Sequence, residues 1–135
     1  LDVGGDVASQ TLAVTLIALT KEDNDLKKTG KKEVIAGLIT GVGLSIVSFI
    51  ITYLFGMWTS YQGEPLLLAT VVSVSLIITV IIGFLFGFLV PVILDKIKID
   101  PAVASGPFIT TSIDILSLLV YFSLALAILG VGGTT

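Results

Sequence analysis

PAVASGPFITTSIDILSLLVYFSLALAILG, residues 101–130, runs for the length of a membrane helix with one charged residue, Asp114, in its interior. About 20 apolar residues in a helix cross the roughly 30 Å hydrocarbon layer of a bilayer. The apolar stretch from about Ala102 to Leu129 exceeds that length. A carboxylate near the centre of such a span costs about 2.5–3.5 kcal/mol on insertion scales. Asp114 is therefore the first candidate for function, and the fold follows from the helix that carries it.

The rest of the chain has the same character. Of its 135 residues, 55% are hydrophobic and 13% are Asp, Glu, Lys or Arg, about half the ~25% charged fraction of a soluble domain. The mean hydropathy is +1.11. Such a surface belongs in lipid. Absence of Cys and His removes disulfides, thiol chemistry, imidazole bases and the usual zinc ligands. The net charge of −3 includes no exposed basic stretch that could track phosphates, so no nucleic-acid partner is expected. With no catalytic dyad or cofactor motif, the sequence does not read as an enzyme.

Four apolar segments predict an all-α, polytopic transmembrane bundle. The approximate helices are 7–20, 33–58, 65–94 and 102–129, forming one transport domain over 1–135. The first has only 14 residues, so three full spans and a shorter first helix are expected. Pro65 and Pro101 suit helix starts, and Pro91 should kink or end the third span. All the lysines fall in the loops 21–32 and 95–100. The positive-inside rule makes those loops cytoplasmic, with Trp58, Tyr61, Glu64 and the terminal GVGGTT outside. That topology also places Asp2 and Asp6 outside, where with Glu64 they would form an acidic mouth that concentrates cations.

Small residues predict how the helices pack. Gly37 and Gly41 form one G-x-x-x-G pair and Gly83 and Gly87 another, a pattern that lets membrane helices approach closely. In GGDVASQT, Gly4 and Gly5 can break a helix or allow close approach. Asp6, Ser9 and Gln10 offer oxygens at i, i+3 and i+4, although Asp6 or Ser9 could equally cap the first helix.

Helical periodicity puts Thr110, Asp114, Ser117 and Tyr121 on one face. With no intramembrane Lys, Arg or His to pair with it, Asp114 is protonated, faces water or faces a cation; the hydroxyl stripe favours the last two. Mg²⁺ keeps much of its water shell and is commonly held by one or two carboxylates. Two copies of Asp114 meeting across a dimer could hold a hydrated ion, with backbone carbonyls near Gly106 and Pro107 or nearby hydroxyls contacting its waters.

These residues carry a resemblance. KIKIDPAVASGPFITTSIDILSLLVYFSLA resembles the end of the membrane domain of the MgtE family of magnesium transporters, matching at Ile99, Asp100, Pro101, Ala102, Ser105, Pro107, Thr110, Thr111 and Asp114. GGDVASQT is similar to the family's G-G-N-x-G-x-Q segment at Gly4, Gly5 and Gln10, but has Asp6 where Asn is usual and Ala8 where Gly is usual. The resemblance implies a homodimeric, divalent-cation-selective channel or transporter. Asp114 would bind hydrated Mg²⁺ near the dimer axis, and Thr110 would contact the ion's water shell. Family members have five membrane helices, of which this chain would hold the last four. Taken together, the expected ion-site residues are Asp114, Thr110, Asp6, Gly106 and Ser117, serving Mg²⁺ with Mn²⁺ or Co²⁺ as possible substitutes. The partners expected are the lipid bilayer and a second copy of the chain. The rival readings are a proton-coupled cation transporter and a non-transporting membrane assembly subunit.

Overall fold

The computed structural model describes residues 2–21, 26–59 and 63–130. Tyr61, part of the 21–32 link, and GVGGTT beyond Gly130 lie outside the described residues. Four helices account for most of the rest: α1 Val3–Thr20, α2 Leu26–Trp58, α3 Pro65–Lys96 and α4 Gly106–Leu129. There is no strand among the described residues. All four helices are long and apolar enough to cross a membrane, so the first is not the short segment expected.

The helix boundaries differ from the sequence expectation for identifiable reasons. α1 begins at Val3, and Gly4, Gly5, Asp6 and Ser9 are all helical. Neither Asp6 nor Ser9 caps the helix; Asp2 occupies the cap position without a side-chain bond. Glycine costs a helix about 1 kcal/mol relative to alanine, and here close packing outweighs that preference. α2 starts at Leu26, so Lys27, Lys28, Lys31 and Lys32 lie on its first turns rather than in a loop. Lysine is a good helix former, and the helix continues past the apolar span. α3 passes through buried Pro91 to Lys96. α4 begins at Gly106 because Pro101–Val103 forms a separate 3₁₀ turn.

Helix α3 is the hub: α1, α2 and α4 all pack against it, and α1 also packs against α4 and α2. The closest approach is between α1 and α3. A Cβ added at Gly83 would overlap the Gly4 carbonyl oxygen, and one at Gly87 would overlap that of Ala8. The Gly83/Gly87 pair therefore brings two backbones together, as its spacing predicts. The Gly37/Gly41 pair behaves differently. A Cβ at Gly41 would lie 3.0 Å from Val80 Cγ1, whereas one at Gly37 would meet nothing within 4 Å.

That α1–α3 register fixes depth. Gly4 lies against Gly83 and Ala8 against Gly87, so the two helices run parallel. Leu12 and Leu16 share a cluster with Val90 and Leu94, so α1 covers the lysine-bearing half of α3. Gly83 is 18 residues along α3 from Pro65, or about 27 Å. Asp2 and Asp6 thus lie near the mid-depth of α3, far from Glu64 at its other end. The acidic outer mouth expected from these three residues is not formed.

The turn after α3 is built from backbone bonds. Ile99 N donates to Leu94 O at 2.9 Å and Lys98 N to Asp95 O at 3.0 Å, a Schellman arrangement. It requires the left-handed conformation of Lys98, φ 60°, which disfavours a residue with a Cβ. Asp100 then accepts from Ala102 N at 2.9 Å and caps the 3₁₀ turn.

These contacts make three substitutions informative. Gly87→Ala should destabilise the protein by roughly 1–3 kcal/mol through overpacking, while Gly37→Ala should be neutral or stabilise by up to about 1 kcal/mol; thermal unfolding in detergent reads both, and equal effects would contradict the asymmetry. Lys98→Gly should raise the unfolding midpoint, by relief of about 1 kcal/mol of backbone strain, and a lower midpoint would rule that strain out.

Candidate functional site

The α1–α3 register also determines what surrounds Asp114. A Cβ at Gly4 would lie 3.0 Å from Ile113 Cγ2 while overlapping Thr79 Cγ2. Gly4, Gly83 and Ile113 therefore share one level, and Asp114 follows Ile113 directly. Although only eight residues from the start of α4, Asp114 is thereby placed near the mid-depth of α3. It is half-buried, between buried Ile113 and exposed Ile115.

Thr110 stands at the junction with α1. Its Cβ and Cγ2 each lie 3.5 Å from where a Gly5 Cβ would be, and Asp2 Oδ1 lies 3.5 Å from the same point. Gly5 is the small residue that lets the Thr110 and Asp2 side chains share this space. The Thr110 hydroxyl donates to Pro107 O at 3.2 Å, leaving its oxygen lone pairs able to accept from a water. Asp2 was not among the expected site residues. Its i, i+3 relation to Gly5 was the available signal, but recognising it required knowing that Gly5 faces α4.

The remaining expected residues are distributed unevenly. Asp6 is exposed on α1, and Gly106 is half-buried at the first turn of α4, with open space where its side chain would be. Ser117 is 1% exposed, and its hydroxyl donates to Ile113 O at 2.7 Å. Tyr121 lines a cavity of about 280 Å³ with Val3, Ser48, Val72, Leu76 and Thr79. The stripe is thus half-buried at Thr110, Asp114 and Tyr121 and fully buried only at Ser117.

The polar residues of α1 also divide. Gln10 borders α2 in a small pocket with Thr11, Glu33 and Thr40, on a different side from Thr110. Thr11 Oγ1 donates to Glu33 Oε2 at 3.4 Å, and Thr15 Oγ1 donates to Thr11 O at 2.7 Å. Glu33, at the seam between the lysines and the apolar part of α2, was another residue that the sequence reading passed over. Among the described residues, no group of three or more Asp or Glu side chains could hold a metal ion within one protomer.

A family model described as "MgtE: Divalent cation transporter" matches residues 1–124. The chain belongs to the MgtE family. It is 41% identical over 130 residues to "Magnesium transporter MgtE" of Bacillus subtilis, covering 91% of this chain and 26% of that protein. The correspondingly named protein of Enterococcus faecalis is 36% identical over 124 residues, 90% of this chain and 26% of the relative. That of Thermus thermophilus is 34% identical over 128 residues, 93% of this chain and 27% of the relative. The chain thus spans about a quarter of the length of these MgtE relatives. Within this MgtE membrane domain, Ala8 is fully buried where α1 crosses Gly87, and Asp6 is exposed.

Proposed function

We propose that this domain moves Mg²⁺ across the membrane, down its gradient, through a pore formed by two copies of the chain. Asp114 is the central carboxylate of the ion path. The observation that carries this reading is the mid-depth position of a half-buried Asp114, one helical turn from Thr110 and beside the start of α1. Family membership supports the choice of ion, since the relatives are named magnesium transporters.

In this reading the ion crosses with much of its water shell intact, because Mg²⁺ dehydrates reluctantly. One carboxylate from each protomer supplies charge, and the pair is relieved of mutual repulsion by the cation between them. Thr110 and the open backbone near Gly106 accept hydrogen bonds from the ion's waters. Asp2 and Asp6 add negative charge at the same depth, while buried Ser117 acts indirectly by fixing the helix under Asp114. The partner copy approaches along the α4 surface, where Ile115, Leu118, Leu119 and Phe122 are exposed.

Mg²⁺ flux into proteoliposomes, measured with and without a pH gradient, tests the proposal. Asp114→Asn should lower flux at least about tenfold, equivalent to about 1.4 kcal/mol, while the protein remains folded; wild-type flux would sink the central-site reading. A requirement for the pH gradient would instead identify proton coupling. Asp6→Asn should retain most of the flux, because Asp6 is exposed on α1 whereas Asp114 is half-buried, and a loss as large as that of Asp114→Asn would reverse the ranking.

A further inference from the structure

The side of α2 and α3 remote from α4 carries an apolar groove of about 290 Å³. It is lined by Val34, Gly37 and Leu38 of α2 and by Val80, Ile81, Phe84 and Leu85 of α3. Two of the close contacts between these helices flank the groove. A Cβ at Gly41 would lie 3.0 Å from Val80 Cγ1, and one at Gly30 would lie 3.0 Å from Phe88 Cζ. Between these contacts, Gly37 has nothing within 4 Å of its Cβ position. The two contacts are 11 residues apart on α2, about 16 Å, which is the length of a dozen or so methylenes of an extended acyl chain.

What lies at the groove's end identifies the occupant. Lys27, Lys31, Val34 and Leu38 recur at i, i+4, i+7 and i+11, so both lysines belong to the helix stripe that lines the groove. Both are exposed. Lys32 is turned aside, toward α1, where it borders Val14, Ile17 and Lys21. An apolar slot between two membrane helices, ending at two cations on the helix stripe, complements an anionic phospholipid: the tail lies against carbon and the phosphate meets ammonium groups. A zwitterionic lipid would fill the slot equally well but gain less from the lysines.

We infer that the α2/α3 groove binds one acyl chain of an anionic phospholipid whose headgroup is held by Lys27 and Lys31. The site is independent of the ion path and of any reading of Asp114. Gly37 is its specificity element for shape, since any side chain there projects into the groove, and the two lysines are its specificity elements for charge.

Native mass spectrometry of the chain released from nanodiscs of mixed phosphatidylglycerol and phosphatidylcholine tests the inference. Wild type should retain phosphatidylglycerol in preference to phosphatidylcholine. Each lysine is worth about fivefold in that preference, so Lys27→Gln with Lys31→Gln should reduce it roughly twenty-five-fold. The charge-matched pair Lys21→Gln with Lys32→Gln should leave it close to wild type. Gly37→Leu should reduce retention of both lipids, whereas Gly43→Leu, also in open space, should not. Circular dichroism and gel filtration confirm that each variant is folded. Equal retention of the two lipids by wild type, an equal loss in the two lysine pairs, or full retention by Gly37→Leu would each overturn the site, the last also being the outcome if a protein segment or a second copy covers the groove.

Discussion

The backbone approach of α1 to α3 at Gly83 and Gly87 is the constraint on which the rest of the domain depends. Apolar burial contributes little to helix association in lipid, so close packing must hold the bundle together. Here the carbonyls of Gly4 and Ala8 occupy the space that two side chains would otherwise fill. That contact sets the axial position of α1, and the position of α1 sets which carboxylates share a level with Asp114. α4 joins the same arrangement through Ile109 and Ile113, both fully buried in the cluster that includes Ala8 and Leu12. The candidate site is thus a product of helix register as much as of residue type.

Much of this was legible in the sequence because hydropathy and length act locally. The four apolar runs, the polar links and the exceptional charge at Asp114 could be read directly, and the small-residue spacing at Gly83 and Gly87 pointed to close packing. Axial offset was not legible. Lysine placement orders the ends of helices but carries no information about how far one helix is displaced along another, so Asp2 and Asp6 were read as mouth residues when they lie near mid-depth. Whether Gly4 and Gly5 break a helix or allow close approach stayed open for the same reason: their value is in neighbours far away in sequence. Periodicity likewise grouped Ser117 and Tyr121 with Asp114, yet could not say that Ser117 is the member of the stripe buried against the bundle.

The polar groups inside the bundle follow two patterns. Ser45, Ser73 and Ser117 return their hydroxyl protons to carbonyls of their own helices, which removes the need for partners across the bundle. Ser75 Oγ and Thr79 Oγ1 are buried with no hydrogen-bond partner among the described residues, and Thr79 stands directly against Gly4. The tightest helix contact therefore coincides with a polar group that packing leaves unsatisfied, at a cost of about 1–3 kcal/mol. Shape complementarity at this junction is being favoured over local polar satisfaction.

The parallel orientation of α1 and α3 has a consequence for the order of assembly. Antiparallel neighbours joined by a short link can pair as soon as the second is made, as α2 and α3 can across the turn before Pro65. Parallel neighbours cannot, because the chain must return across the bilayer between them. α1 therefore meets its partner glycines only after α2 and most of α3 have been synthesised and inserted, and until then its carboxylates at Asp2 and Asp6 have no α3 or α4 beside them. The interface that positions the candidate site is a late event in the life of the chain, closing a long loop during membrane insertion.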